Sequence, residues 1–137
     1  MKEAAAWFRK AEGLGSPSAM YLVGVCLHKG IGGAVDEAAA AERYQKAADR
    51  GYALAMHNLA MCLADGVGTE QNRKQAIEWY RKAADGGVAP AMFSLGLYHV
   101  TGVGLEKNAK LAGDWFRKGA KLGDKDCAEA LRQLGLE

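Results

Sequence analysis

The chain contains 137 residues, half of them hydrophobic, with 18 basic side chains against 16 acidic ones. A chain so close to neutral lacks the strong electric field with which proteins attract nucleic acids or anionic membranes. No apolar run approaches the roughly 18 residues that a membrane-spanning helix needs. The first nine residues also lack the uninterrupted apolar stretch of a signal peptide. We therefore expect neither nucleic-acid binding nor membrane insertion.

Three segments of the chain are copies of one another at a spacing of 36 residues, without insertion or deletion. The copies include the pairs Ala19-Met20, Ala55-Met56 and Ala91-Met92 and the motifs Gly30-Ile31-Gly32, Gly66-Val67-Gly68 and Gly102-Val103-Gly104. Such repeats form stacked supersecondary units, because one unit cannot bury its apolar face alone. In chain order we predict a half-repeat helix, three full repeats and a C-terminal capping helix, over residues 2–15, 16–51, 52–87, 88–123 and 124–137. The eight expected helices belong to one repeat domain, residues 1–137.

The middle repeat shows how one unit is predicted to form. Its apolar positions follow helical spacing from Ala55 and stop at Gly66, a residue that reaches positive φ without steric cost. A second helix starts at Asn72, whose side chain can accept from first-turn amides, and Gln75 three residues later fits a capping box. This helix ends near Gly87. The other two repeats carry a capping residue at the same position, Asp36 and Asn108.

Small residues recur at one register of each helix. They are Gly24, Ala60 and Gly96 in the first helices and Ala40, Ala76 and Ala112 in the second helices. A glycine inside a helix costs about 1 kcal/mol relative to alanine, so its recurrence predicts that a neighbouring helix packs closely there. At the same register the final helix carries Arg132, a long charged side chain that should stop a further repeat from docking.

The three cysteines cannot all pair within one chain. Cys26 and Cys62 occupy equivalent repeat positions, which lie roughly one helix diameter apart and are too distant for a disulfide. We expect free thiols that pack as small apolar side chains, Cys127 included, and this favours a cytoplasmic setting. A metal site at Cys26 and His28 is not expected, because no second Cys/His pair lies nearby in the sequence. We predict no cofactor.

A basic column runs through the second helices. It consists of Lys10, Lys46, Lys82 and Lys118. These lysines lie in the later helical turns, where cations favour the helix dipole, and acidic residues such as Glu42 and Glu78 alternate with them. The column therefore predicts a solvated outer face rather than a stripe that tracks phosphates.

The pattern within the repeat is specific to a known family. In the second repeat its positions are Ala55, Leu59, Gly66, Gly68, Asn72, Ala76, Trp79, Tyr80, Lys82, Ala83, Ala84 and Gly87. With this pattern the unit resembles the Sel-1-like repeat, a relative of the tetratricopeptide repeat, although Leu27, Leu63 and His99 replace its usual tyrosine. The resemblance implies a right-handed α/α solenoid that acts as a non-catalytic scaffold or adaptor and binds another protein or peptide.

Two alternatives to this function stay open. A secreted, cysteine-rich branch of the family is linked to penicillin binding, so the chain could be an enzyme relative. However, that branch places disulfide cysteines in every unit, and this chain has methionine and alanine there and no Ser-x-x-Lys motif. The other alternative is a structural spacer or oligomerisation segment. We expect no catalysis, and a monomer or weak homo-oligomer.

The first helices carry the variation between repeats. In tetratricopeptide-like stacks these helices line the concave face, where residues three and four apart share one side. The candidate partner-binding residues are Tyr21, Val25, His28, His57, Met61, Phe93, Leu97 and Val100, accompanied by Lys29, Ala64, Asp65 and Thr101. Apolar residues on a concave face suggest a groove for a peptide or helix. Alternatively, these side chains simply pack against neighbouring first helices.

Overall fold

The computed structural model describes residues 15–135 together with Ala6, Lys10 and Gly13. This part of the chain contains seven helices and no strand, which confirms the predicted all-α class. The helices are α1 Pro17–Lys29, α2 Glu37–Asp49, α3 Ala53–Asp65, α4 Arg73–Asp85, α5 Ala89–Thr101, α6 Ala109–Lys121 and α7 Lys125–Leu134. The helix predicted over residues 2–15 falls mainly on residues outside the described part, where only Ala6 and Lys10 are seen to be helical.

The second helix of each repeat begins as predicted. Asn72 precedes α4, and its side-chain oxygen accepts from the amide of Gln75 at 3.1 Å. The reciprocal half of the predicted capping box is wrong, because the amide of Asn72 donates instead to the carbonyl of Leu63 at 2.8 Å. This backbone bond ties the start of the second helix to the last turn of the first. The bonds Asp36 to Leu27 and Asn108 to His99 repeat it at 2.8 and 2.9 Å.

Glycine ends each first helix. Gly66 follows α3 with φ 70°, in the left-handed region that side chains disfavour, and its amide donates to the carbonyl of Cys62. Gly30 and Gly102 have the same conformation after α1 and α5. The predicted helix ends are therefore confirmed, and the chain reverses at the same point in every repeat.

The helices pack as a chain of neighbours. In each repeat the first helix packs mainly on the second, so α1 contacts α2, α3 contacts α4, and α5 contacts α6. Successive repeats meet through α2 and α3, α4 and α5, and α6 and α7. By contrast, the backbones of α1 and α3 stay further apart, as do those of α3 and α5, although the rings of Tyr21 and Tyr52 meet at the start of α3 with centroids 5.4 Å apart. A crease therefore runs between consecutive first helices, with the second helix beneath it.

The recurring small residues mark where an aromatic ring crosses the first helix. A Cβ atom added to Gly24 would lie 2.7 Å from the ring of Tyr44, and one added to Gly96 would lie still closer to Phe116. Both rings come from the second helix of the same repeat. The predicted close packing at this register is thus confirmed, and the neighbour is a ring rather than the helix backbone.

The glycine loops also hold successive repeats together. Gly68 lies against the backbone of Glu37 at the start of α2, so no Cβ atom could be placed there without a shift. Gly104 lies against the side chains of Ile77 and Arg73 in α4. In both cases the loop of one repeat rests on the second helix of the repeat before it.

The core extends through all three repeats. Ala40, Ala76 and Ala112 are fully buried where helices approach closely. On α7 the side chain of Leu131 is buried, whereas that of Arg132 is exposed. All of the helices in the described ranges are too short or too polar to cross a bilayer.

Candidate binding surface

The first-helix face comprises the exposed and half-buried side chains of α1, α3 and α5. Three of its predicted binding residues occupy one repeat position, Tyr21, His57 and Phe93. Each is half-buried and packs on a ring of the second helix, with centroids 6.0 Å apart for Tyr21 and Tyr44, 5.7 Å for His57 and Tyr80, and 5.8 Å for Phe93 and Phe116. These three side chains therefore also stabilise the packing of the repeat.

The remaining predicted residues differ in how much surface they offer. Met61 is 40% exposed and Leu97 is 41% exposed, whereas Val25 and Val100 are half-buried. His28 is exposed, and its Nδ1 atom donates to the Glu37 carboxylate at 2.8 Å. Met61 and Leu97 are therefore the most exposed apolar side chains among the eight candidates.

The first crease, between α1 and α3, contains a cavity of about 180 Å³. Its lining residues are His28, Tyr44, Asn58, Met61, Cys62, Asp65 and Val67. His28 comes from α1, Tyr44 from α2 beneath, and the others from α3 and the loop after it. The cavity thus combines an aromatic floor with apolar walls and a few polar groups, the usual composition of a binding pocket.

The second crease, between α3 and α5, is occupied by a ring at the equivalent place. Tyr98 stands where the first crease has Cys62, since the two are 36 residues apart. The ring of Tyr98 packs on that of Tyr80 with centroids 5.9 Å apart. A cysteine side chain is much smaller, so Cys62 leaves open above Tyr44 the space that Tyr98 fills above Tyr80.

Burial sets the protonation of the groups around the first crease. Burial raises the pKa of Tyr44 to about 12, although a hydrogen bond with the Asn58 side chain opposes the shift. Burial likewise raises the pKa of the Cys62 thiol to about 11, with smaller contributions from the carboxylates of Glu37 and Asp65. Burial lowers the pKa of His57. At neutral pH the phenol and the thiol are therefore uncharged, and the local charge comes from the carboxylates.

The cysteines and histidines form no metal cluster among the described residues. Cys26, Cys62 and Cys127 are buried and free, as expected of small apolar side chains. His99 is also buried, and its Nδ1 atom donates to the carbonyl of Glu106 at 2.8 Å. This histidine therefore holds the loop before α6 in place.

The basic column lies on the second-helix face, where its charges have local partners. Lys82 lies over the ring of Trp79, 4.6 Å from its centroid, and Lys118 lies 4.7 Å from that of Trp115. Lys46 instead pairs with Glu42 at 3.3 Å. These lysines are engaged with rings and carboxylates of their own helices, as a solvated outer face predicts.

A second depression lies on this opposite face, between α2 and α4. Its volume is about 440 Å³. Polar side chains such as Glu42 and Gln75 line it together with apolar ones such as Leu59 and Leu63. Its larger volume makes it a looser fit to a single side chain than the cavity in the first crease.

Four residues that line the first crease were not among the predicted binding residues: Tyr44, Asn58, Cys62 and Val67. Of these, Cys62 was expected only to pack as a small apolar side chain. The signal that could have identified the cavity was the exchange of Cys62 for Tyr98 at one repeat position, because it changes side-chain volume beside an otherwise repeated ring.

Comparisons with known proteins agree on the architecture. The family model for the Sel1 repeat matches residues 1–16, 17–52, 53–88 and 89–124. The crystal structure of a Sel1 repeat protein from Oxalobacter formigenes is 38% identical, with a TM-score of 0.78 over 82% of this chain and 45% of that chain. A protective antigen of uropathogenic Escherichia coli with an SLR fold is 32% identical, with a TM-score of 0.85 over 90% of this chain and 26% of that chain.

A third structure supports the fold alone. Cysteine rich protein B from Helicobacter pylori is 22% identical, with a TM-score of 0.73 over 95% of this chain and 93% of that chain. A comparison with curated proteins finds no match. The chain spans less than half the length of the first two solved relatives. Since the family model matches residues 1–124 in four consecutive segments, the chain belongs to the Sel1 repeat family and forms a helical repeat solenoid.

Proposed function

We propose that this chain is a non-catalytic interaction module that binds a partner polypeptide on its first-helix face. Sel1 repeats are typically protein–protein interaction modules, and the finer proposal concerns which surface does the binding. The residues proposed to contact the partner are Tyr21, Val25, His28, His57, Met61, Phe93, Leu97 and Val100. We further propose that residues 1–137 act as one repeat domain and self-associate weakly or not at all.

The observation that carries this proposal is the cavity in the first crease. Exposed Met61 lies at its edge, and exposed Leu97 lies one repeat further along the same face. An extended peptide or a helix laid across the first helices could contact both side chains and place one of its own in the cavity. Such anchors in a groove are a common mode of peptide recognition.

The thiol chemistry favours binding over catalysis. Reactive cysteines are partly exposed and have lowered pKa values. Cys62 and Cys127 are buried, and burial raises their pKa values to about 11 and about 12. Neither thiol is therefore suited to act as a nucleophile at neutral pH.

The experiment begins by identifying the partner through proximity labelling in the native cell, followed by measurement of its Kd with purified variants. Met61→Asp and Leu97→Asp should each weaken binding by about 30-fold or more, since central anchors commonly contribute 2 kcal/mol. Both side chains are substantially exposed, so these variants should retain their helicity. Phe93→Ala is a less clean test, because its ring also packs on Phe116.

The matched controls are Lys46→Ala and Lys82→Ala on the opposite face. Exposed lysines contribute little, so both variants should bind the partner with nearly unchanged Kd. If the lysine variants abolish binding while Met61→Asp and Leu97→Asp bind normally, the partner uses the second-helix face. That result would overturn the proposal.

A further inference from the structure

The size of the cavity in the first crease restricts what it can hold. Pockets for drug-sized ligands typically span roughly 300–1,000 Å³, whereas this cavity has about 180 Å³. It therefore suits one long side chain of a bound peptide. Tyr44 forms the floor, and Met61, Cys62 and Val67 offer apolar surface to the stem of such a side chain.

The charge around the cavity is negative. Asp65 lines it at the last residue of α3, where the helix end adds a partial negative charge of its own. No ion pair is seen for Asp65 with any described residue. The Glu37 carboxylate is held beside the cavity by its bond to His28. Both carboxylates lie near enough to Cys62 to act on its thiol.

The carboxylate of Asp65 is the acceptor that the cavity offers to a donor-rich group. Asn58 lines the same cavity about two helical turns before Asp65, and its side chain is already hydrogen-bonded to Tyr44. Lys29 is exposed on the same face but does not line the cavity. The one basic side chain in the lining is His28, whose Nδ1 proton already goes to Glu37. A cation that enters would therefore meet unpaired negative charge at Asp65.

We propose that the first crease is a specificity pocket for a positively charged side chain of the partner, arginine in preference to lysine. This inference rests on the proposed function and names the chemistry of the partner at one position. The aliphatic stem would lie along Met61 and Val67, and the guanidinium would lie beside Tyr44 and donate to Asp65. Arginine is favoured because its planar guanidinium stacks on rings and matches a carboxylate with two parallel bonds.

The test is an NMR titration of the ¹⁵N-labelled protein with capped single amino acids. The probes are the N-acetyl amides of arginine, lysine, norleucine and glutamate. We expect the arginine probe to shift the amides of Asn58, Met61 and Asp65 at the lowest concentration, with lysine weaker and glutamate weakest. If norleucine or glutamate binds as tightly as arginine, the charge preference is wrong.

Two variants and a control separate charge from shape. Asp65→Asn should weaken arginine binding by about fivefold or more while leaving the norleucine Kd unchanged. Asp85→Asn is the matched control, because Asp85 is an exposed aspartate at the last residue of α4 and lies outside the cavity. Cys62→Tyr copies the residue of the next repeat and should abolish binding of every probe. Equal arginine binding by Asp65→Asn and the parent protein would overturn the inference.

The native partner distinguishes this inference from the proposed function. If Met61→Asp and Leu97→Asp abolish binding of the partner while Asp65→Asn binds it normally, the function stands and the arginine pocket is wrong. If all three variants bind the partner normally, the first-helix face is not the interface. If all three lose binding and Asp85→Asn does not, both proposals are supported.

Discussion

The first and second creases are built from the same scaffold, yet only in the second does a ring occupy the position above the floor. Tyr44 and Tyr80 form equivalent floors, and the next repeat contributes Cys62 in one case and Tyr98 in the other. The walls also differ. The first crease has His28, Asn58, Met61 and Asp65, and the second has Ala64, Ser94, Leu97 and Thr101 at the same positions.

This difference shows how a repeat protein can open a cavity without changing its fold. The caps, the turn glycines and the second-helix rings are common to the repeats because the packing of neighbours requires them. The first-helix positions above the rings are less constrained by this packing, so their residues can differ between repeats. A small side chain at position 62 opens a cavity, and the carboxylate of Asp65 in its lining is the basis of the charge preference that we propose.

The largest effect should come from disturbing a ring beneath a crease. In Gly96→Leu the new side chain would meet the ring of Phe116, and such overpacking typically costs about 1–3 kcal/mol. Gly96→Ala should destabilise less, because it adds a single carbon. The free energy of unfolding in urea measures both. Equal unfolding midpoints for Gly96→Leu and the parent protein would show that the ring is not held at this register.

The next effect should come from opening the second crease. Tyr98→Cys removes a half-buried ring packed on Tyr80. Aromatic pairs contribute about 0.5–1.5 kcal/mol beyond their buried area, so we expect the free energy of unfolding to fall by about 1–2 kcal/mol. The variant should also bind small apolar probes such as norleucine amide near Tyr80. An unchanged stability would mean that the ring does not support the second crease.

The first crease should make stability depend on alkaline pH. Burial raises the pKa of Cys62 from its ordinary 9.0 to about 11, so the unfolded chain releases this proton at lower pH than the folded protein does. The stability that comes from the neutral thiol is complete below about pH 9 and decreases as pH rises towards 11. Urea unfolding between pH 8 and 10.5 should therefore show a shallower decline for Cys62→Ala. If the stability of Cys62→Ala and that of the parent protein decline with the same slope, the Cys62 thiol is exposed to water in the folded protein.

The state of the thiols can be checked in the same samples. Labelling under denaturing, non-reducing conditions should modify Cys26, Cys62 and Cys127 alike, because all three are free. In the native protein Cys62 and Cys127 should react slowly with iodoacetamide, since the thiolate is the nucleophile. A bridge between Cys26 and Cys62 would contradict the spacing of the repeats.

The smallest effect should come from the face opposite the creases. Lys82→Ala removes a cation from above Trp79, which at an exposed site is expected to cost about 0.5–1 kcal/mol. Lys46→Ala, whose charge pairs with exposed Glu42, should cost less. Urea unfolding again gives the comparison. A larger loss for Lys46→Ala than for Lys82→Ala would show that the ring contact is not stabilising.

The scaffold was largely predictable from the sequence, because repetition exposes the positions that packing fixes. The cap at Asn72, the end of α3 at Gly66 and the close approach at Gly96 were predicted and are confirmed. The predicted bond from the amide of Asn72 to the side chain of Gln75 was wrong. That amide donates instead to the backbone carbonyl of Leu63, 9 residues earlier. Sequence spacing alone does not reveal such competition between side chains and backbone.

The cavity was not predicted because it depends on the volume that several elements leave unfilled. The sequence identified Met61 and His28 as variable positions on the first-helix face, and both line the cavity. It could not show that α1 and α3 stay apart or that the ring of Tyr44 lies beneath the gap. These facts depend on how three helices are placed in space, and a repeat pattern fixes only which positions are equivalent.

The contacts of the loops at Gly68 and Gly104 with the preceding repeat affect the cooperativity of unfolding. Each loop rests on the second helix of the repeat before it, so a repeat that unfolds removes support from its neighbour. Such an array behaves as a line of nearest-neighbour units, in which the middle unit is supported from both sides. Amide hydrogen exchange should therefore be slowest in α3 and α4, and it should become faster towards the ends of the array.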